Sequence, residues 1–205
     1  MTRDVVLASG LWMPAAGMAL ISARLAQAGF VPRSFRYHGR QPPEANVERL
    51  ARFVRESFAG GAPHFVGHSL GGVLILDMLN RHSEIAAARV VLLGAPVRGC
   101  FSGRRLGGSA LGRWMLGACR PRWDEHDAVW RRPEALGVIA GTLPLGLGRT
   151  LGRLPGQNDG VVCVDETSIE GMADRVLLRQ GHSVLAVSAG VAALVGRFLD
   201  SGRFA

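Results

Sequence analysis

The sequence predicts a one-domain α/β fold, with a mostly parallel central sheet of about six strands and helices on both faces. Short apolar runs alternate with amphipathic stretches of helical length along most of the chain. The 205 residues are 48% hydrophobic and 20% charged, the balance of a globular protein that can bury roughly 70% of its unfolded surface. No internal repeat or long linker divides it.

Val5 to Ser9 is an apolar run ending at Gly10, too short for a helix and suited to a strand buried on both faces. Met18 to Ala28 carries Leu20, Ile21, Leu25 and Ala28 at helical spacing and stops at Gly29. Val31 to Tyr37 predicts a second strand, and Glu44 to Phe58 a helix with Val47, Leu50, Phe53 and Val54 on one face. His64 to His68 is a short strand, Leu70 to Leu79 a helix, and Arg89 to Leu93 a fourth strand ended by Gly94-Ala95-Pro96. Residues 97 to 136 break the rhythm with three tryptophans, Trp114, Trp123 and Trp130, and eight arginines. Gly137 to Thr142 resumes as a fifth strand, followed by a Gly- and Pro-rich loop to Gly160. A sixth strand over Arg175 to Arg179 and a closing helix over Val184 to Leu199 complete the pattern.

All 24 basic residues are arginine, which excludes a Schiff-base lysine and a phosphate-loop lysine. The net charge of +8 and pI near 11.2 suit an anionic membrane surface as a candidate partner, but charge alone speaks of solubility and weak association. Nucleic acid is not expected. Cys100, Cys119 and Cys163 form no CxxC pair and no zinc spacing. The first 28 residues imitate a signal peptide up to Ala26-Gln27-Ala28, but Asp4, Pro14 and Arg24 argue against one. No uninterrupted apolar run reaches the ~20 residues of a membrane span, so a cytoplasmic protein is expected.

Gly67-His68-Ser69-Leu70-Gly71-Gly72 lies between the third strand and its helix in the G-x-S-x-G form of a nucleophile elbow. A serine on so sharp a turn needs strained backbone angles and a close strand–helix approach, which glycines at both flanks permit. A helix N-cap would explain the serine but not those glycines. The helix start aims the Leu70 N–H at a developing oxyanion. A nucleophilic serine needs a histidine base oriented by a carboxylate. His182, in Gln180-Gly181-His182-Ser183 directly after the sixth strand, emerges at the same sheet edge; His126 lies in the irregular excursion. Gln157-Asn158-Asp159-Gly160 offers Asp159 after the fifth strand, with Asp165 six residues on as its rival.

These segments resemble the α/β-hydrolase superfamily, and more narrowly its small bacterial lipase and esterase-like members. The resemblance rests on the GHSLGG elbow, Leu93-Gly94-Ala95-Pro96, Asn158-Asp159-Gly160-Val161-Val162 and Gly181-His182, and spans residues 5 to 200. It implies an α/β-hydrolase fold, here opening directly on the strand before the oxyanion loop. The two leading antiparallel strands of larger relatives are expected to be missing. It also implies that the Leu11 N–H is the second oxyanion donor, although this chain reads Ser9-Gly10-Leu11-Trp12 where relatives usually carry His-Gly.

The expected activity is hydrolysis of carboxylic esters, small or lipid-like, through Ser69, His182 and Asp159 and an acyl-enzyme, with no cofactor and no metal. A thioesterase or acyltransferase would use the same groups, and a non-catalytic binding protein would use the same fold. His64 and His68 on a strand need not converge on a metal, and His68 beside the nucleophile is expected to pack or hydrogen-bond rather than react. Asp124-Glu125-His126-Asp127 is expected to be an exposed loop. Residues 97 to 136 are expected to form a cap insertion, either over the site or as an ordinary solvated, arginine-rich subdomain whose tryptophans pack on the body. Over the site, Leu106, Leu111, Trp114, Met115 and Leu116, with Trp12 from the first loop, would meet substrate. Arg104, Arg105, Arg113, Arg120, Arg122, Arg131 and Arg132 would meet lipid head groups. Nothing in the sequence sets the oligomeric state.

Overall fold

The computed structural model describes residues 2–13, 15–119, 124, 127–146 and 153–205. Its six strands are β1 (Asp4–Ala8), β2 (Val31–Phe35), β3 (His64–His68), β4 (Arg89–Leu93), β5 (Ala135–Gly141) and β6 (Asp174–Leu178). They pair in the order β2-β1-β3-β4-β5-β6, every neighbour parallel. The order reverses direction between β1 and β3, and in such sheets that switch point opens a crevice at the carboxyl ends of the strands.

Both faces of the sheet are covered, which is why the central strands are apolar without alternation. Val6, Ala8, Phe65, Val90 and Leu92 face α2 (Pro43–Ser57) and α3 (Leu70–Arg81), while Val5, Leu7, Val66, Val91 and Leu93 face α1 (Ala19–Gln27) and α7 (Ala189–Ser201). α1 is preceded by a 3-10 turn over Ala15–Met18 and stops where expected, at Gly29 with φ +85°, the Phe30 N–H reaching back to the Leu25 carbonyl at 3.0 Å.

The closing segment differs from expectation. Instead of one helix over 184–199 the chain makes a single turn, α6 (His182–Leu185), extends at Ser188 (φ −70°, ψ 135°) and restarts as α7. Ser188 Oγ accepts the Val191 N–H as an N-cap and also the Gln180 side-chain amide at 3.0 Å, so the serine competes with helix continuation.

Between β4 and β5 the excursion forms α4 (Phe101–Gly107) and α5 (Ala110–Leu116). Its far end is fastened by Trp130, whose indole donates to the Glu134 carbonyl, and by Arg132, which donates to the Leu79 and Ile85 carbonyls and pairs with Glu134 at 2.8 Å. Burial opposes charge on Glu134, but the Arg132 guanidinium outweighs it and holds the carboxyl below its ordinary value. Arg132 is therefore a structural cation rather than part of a lipid-facing set. Arg120, Arg122, Trp123, Glu125 and His126 lie outside the described residues. Among the described residues no helix is long and apolar enough to cross a membrane.

His64 and His68 do not converge: His64 Nε2 donates to the Thr2 carbonyl and His68 Nε2 to that of His182. Burial lowers His64 to about 4. Between its ordinary value near 6.5 and 4 the unfolded chain takes up a proton that the folded chain refuses, so stability falls as pH falls through that window. His64→Phe, which keeps an aromatic ring against Phe30, is expected to shrink the drop in melting temperature between pH 7 and pH 4.5, measured by circular dichroism. An unchanged drop would show that His64 is not held neutral.

Candidate active site

β3 runs into α3 through the single residue Ser69, at φ +54° and ψ −126°. A β-carbon on Gly67 would sit 2.4 Å from the Gly72 α-carbon, and one on Gly71 would sit 2.3 Å from the Ala8 carbonyl oxygen. Strand and helix thus touch backbone to backbone, and the connecting residue has no room except on the left-handed side of the map, where a non-glycine residue is strained. Ser69 N–H donates to the Leu93 carbonyl at 2.9 Å, fixing the turn to β4. Leu70, the first residue of α3, has no carbonyl one turn back within its helix, so its N–H is free of the helical ladder.

The acid loop follows β5. Asp159 is 1% exposed; its Oδ1 accepts the Val161 and Val162 N–H groups at 3.0 and 2.7 Å, and its Oδ2 lies 2.7 Å from His182 Nδ1. His182 also donates its backbone N–H to the Asp159 carbonyl at 2.9 Å. The two residues are therefore joined twice across a sequence gap that includes β6. Asp165 is exposed at the start of a 3-10 turn, Asp165–Thr167, away from this contact. The structure so brings Asp159 and His182 together and leaves Asp165 apart. Among the described residues no hydrogen bond joins Ser69 Oγ to His182 in this conformation.

Gly10 closes over the serine: a β-carbon there would lie 2.9 Å from Ser69 Cβ and 3.4 Å from its Oγ. The Met13 N–H returns to the Gly10 carbonyl, so Leu11 and Trp12 occupy the centre of a turn, with Trp12 at φ +60°. Tyr37 is half-buried, and loss of solvent raises the pKa of its hydroxyl, which donates to the Ser9 carbonyl at 2.6 Å and braces the same loop. The Trp12 indole donates to the Met115 carbonyl of α5 at 3.3 Å, while the Arg40 guanidinium stacks on Trp114 and donates to its carbonyl at 2.6 Å. Trp12 and Trp114 are 48% and 65% exposed, at a seam between the excursion and the loops after β1 and β2.

Three further residues shape the site without having been assigned a role in it from the sequence. Gly94, at φ +53°, sits where a β-carbon would crowd the pair, 3.1 Å from Asp159 Oδ2 and 3.2 Å from His182 Nδ1. Its sequence signal was the Leu93-Gly94-Ala95-Pro96 segment that ends a strand and forms part of the resemblance. Glu166 accepts the Cys163 N–H at 2.8 Å and the Phe101 N–H, tying the acid loop to the first turn of α4. Burial raises the Glu166 carboxyl above its ordinary value despite those donors. Ser102 adds a second tie, its hydroxyl donating to the Val161 carbonyl at 2.6 Å. The three cysteines are buried thiols, and burial pushes Cys100 and Cys163 up to about 12, far from the thiolate that chemistry would need.

A profile of the alpha/beta hydrolase family matches residues 5–196, and the chain belongs to that family. No curated protein matches it in sequence. The mature lipase of Bacillus licheniformis superposes with a TM-score of 0.76 at 18% identity, covering 98% of this chain and 92% of that one. The meta-cleavage product hydrolase of Pseudomonas fluorescens superposes with a TM-score of 0.64 at 18% identity, over 97% and 90%. The thioesterase of the prodiginine pathway of Streptomyces coelicolor superposes with a TM-score of 0.62 at 14% identity, over 97% and 89%. At these identities the likeness is one of fold, and the neighbours span lipase, hydrolase and thioesterase names.

Proposed function

We propose that this protein is a serine hydrolase that cleaves carboxylic esters through an acyl-enzyme. The observation that carries the reading is the buried 2.7 Å contact between Asp159 Oδ2 and His182 Nδ1 at the sheet edge that also holds the strained Ser69. The carboxylate fixes the imidazole with its proton on Nδ1, which leaves Nε2 as the base. Ser69 gives its proton to Nε2 and attacks the ester carbonyl; the hydroxyl-to-imidazole contact commonly tightens only with substrate bound. The Leu70 and Leu11 N–H groups take up the oxyanion, His182 returns the proton to the leaving alcohol, and water repeats the sequence to release the acid. No step calls for a cofactor. A thioester would pass through the same acyl-enzyme.

Ser69→Ala is expected to abolish hydrolysis of a short p-nitrophenyl ester and labelling by a fluorophosphonate probe while the melting temperature stays near wild type. More than a few per cent residual activity would overturn the assignment. Asp159→Asn is expected to cost on the order of 10³ to 10⁴ in kcat, because the amide favours the wrong imidazole tautomer. Asp165→Asn should stay within a few-fold, and the reverse ranking would move the acid to Asp165.

The same proposal reads α4 and α5 as a cap for an acyl chain, with an anionic lipid surface as partner. Leu111, Trp114 and Trp12 are exposed, as are Leu145 and Val184 beside the acid loop and the base, so large apolar side chains remain in solvent on both the cap helices and the site loops. Arg105 and Arg113 lie exposed on the same two helices, each worth about 1 kcal/mol near an anionic surface. Anionic vesicles are expected to raise turnover of medium-chain esters more than zwitterionic ones do, and Arg105→Glu with Arg113→Glu to remove the difference. An unchanged vesicle response and chain-length preference would reduce the cap to packing.

A further inference from the structure

We propose that His68 is a positioning residue for His182, holding the carbonyl of the base's own residue so that its imidazole stays aimed toward Ser69. The inference rests on the serine-hydrolase reading above and adds a fourth side chain to it.

His68 ends β3, immediately before the nucleophile, and is 1% exposed. Its Nε2 lies 3.0 Å from the His182 carbonyl oxygen, and the two rings stand 4.7 Å apart, centre to centre, at 45°. A carbonyl oxygen only accepts, so Nε2 carries the hydrogen and Nδ1 is bare. That Nδ1 is buried without a partner, on the side where a β-carbon on Gly10 would meet it at 3.0 Å. The geometry therefore allows one tautomer.

His182 needs such support because α6 is a single turn of four residues, and in so short a helix the carbonyls belong to the terminal set that the helix cannot pair. Three contacts hold the base. Its N–H and its Nδ1 go to Asp159, on a loop that leaves β5. Its carbonyl goes to His68, on the strand that carries the nucleophile. The first two let the imidazole follow any shift of the acid loop. The third, with the adjoining ring, ties it to the elbow, so that the spacing between base and serine is set by neighbouring residues of one strand. Misplacement of about 1 Å at such a site costs on the order of 10²-fold.

Burial, and then the neighbouring His182, lower His68 to about 3, so it stays neutral beside the imidazolium that forms during turnover. The proton taken from Ser69 therefore does not pass to His68, and His182 keeps it until the leaving alcohol takes it.

The test compares three variants of the whole chain, using a short p-nitrophenyl ester and a fluorophosphonate probe. His68→Gln keeps an N–H near the Nε2 position; His68→Asn is one methylene too short to reach the carbonyl; His68→Phe keeps the ring and removes the donor. The Asn and Phe variants are expected to lose about 10- to 100-fold in kcat with KM within threefold of wild type, and to lose probe-labelling rate in proportion. His68→Gln is expected to regain at least tenfold over His68→Asn. Should the Phe variant fail to fold, the Gln and Asn pair decides alone. The inference is overturned if folded variants keep kcat within threefold of wild type, if Gln is as impaired as Asn, or if the loss falls on KM. A Ser69→Ala protein that stays active would instead overturn the serine-hydrolase reading, so the two failures are read separately.

Discussion

The backbone contact between β3 and α3 governs the rest of the structure. At Gly67 and Gly72 strand and helix approach until a single β-carbon would have to share space with an α-carbon. A chain that reverses in so little room passes through one residue with positive φ, and Ser69 is that residue. The strain, of order 1–3 kcal/mol for such a residue, is borne by a sheet whose central strands are buried on both faces. The same closeness brings Gly10 from β1 and Gly94 from β4 against the elbow and the acid–base pair. Gly10, just after β1, and Gly94, just after β4, thus sit where a side chain would press on the serine or on the acid–base pair.

Much of this was legible in the sequence because it is local. The glycine spacing around Ser69, the apolar runs of β1, β3 and β4, and the turn residues around Asp159 each encode their conformation within a few positions. Position after the fifth strand favoured Asp159 over Asp165, but what separates them in the structure is a contact with a residue beyond β6. The closing helix was misread because apolar spacing continues through 184–199, while Ser188 reads as any helical serine until Gln180 reaches it from the preceding loop. His68, Gly94 and Arg132 act on partners distant in sequence, His68 on a carbonyl 114 residues away and Arg132 on carbonyls 53 and 47 residues away. No periodicity or motif reports such pairings.

The division of labour among the loops follows the sheet order. β1 and β3, which flank the switch point, carry Gly10 and Ser69, and β5 carries the acid loop. His182 follows β6 at the sheet's margin, yet the hydrogen bonds it donates to Asp159 and accepts from His68 draw it inward across two strands. The base therefore sits where polar contacts hold it rather than where its own strand would leave it. A site built this way depends more on paired polar groups than on core volume, and such groups are costly to leave half satisfied.

The excursion after β4 is fastened at both ends. Glu166 and Ser102 fix its start to the acid loop, and Arg132 fixes its finish to carbonyls at and just beyond the end of α3. It is thus a bridge with two abutments rather than a flap with one hinge. Between the abutments, its attachment to the loops after β1 and β2 includes the Trp12–Met115 hydrogen bond, the Arg40–Trp114 stack and the bonds that Arg40 makes to Trp114 and Ala118. The span is also seated between them, Leu116 and Cys119 being buried in the core cluster to which α2 and α3 contribute. Because Trp12 belongs to the turn that begins at Gly10, its bond to Met115 ties the span to the loop that faces the serine.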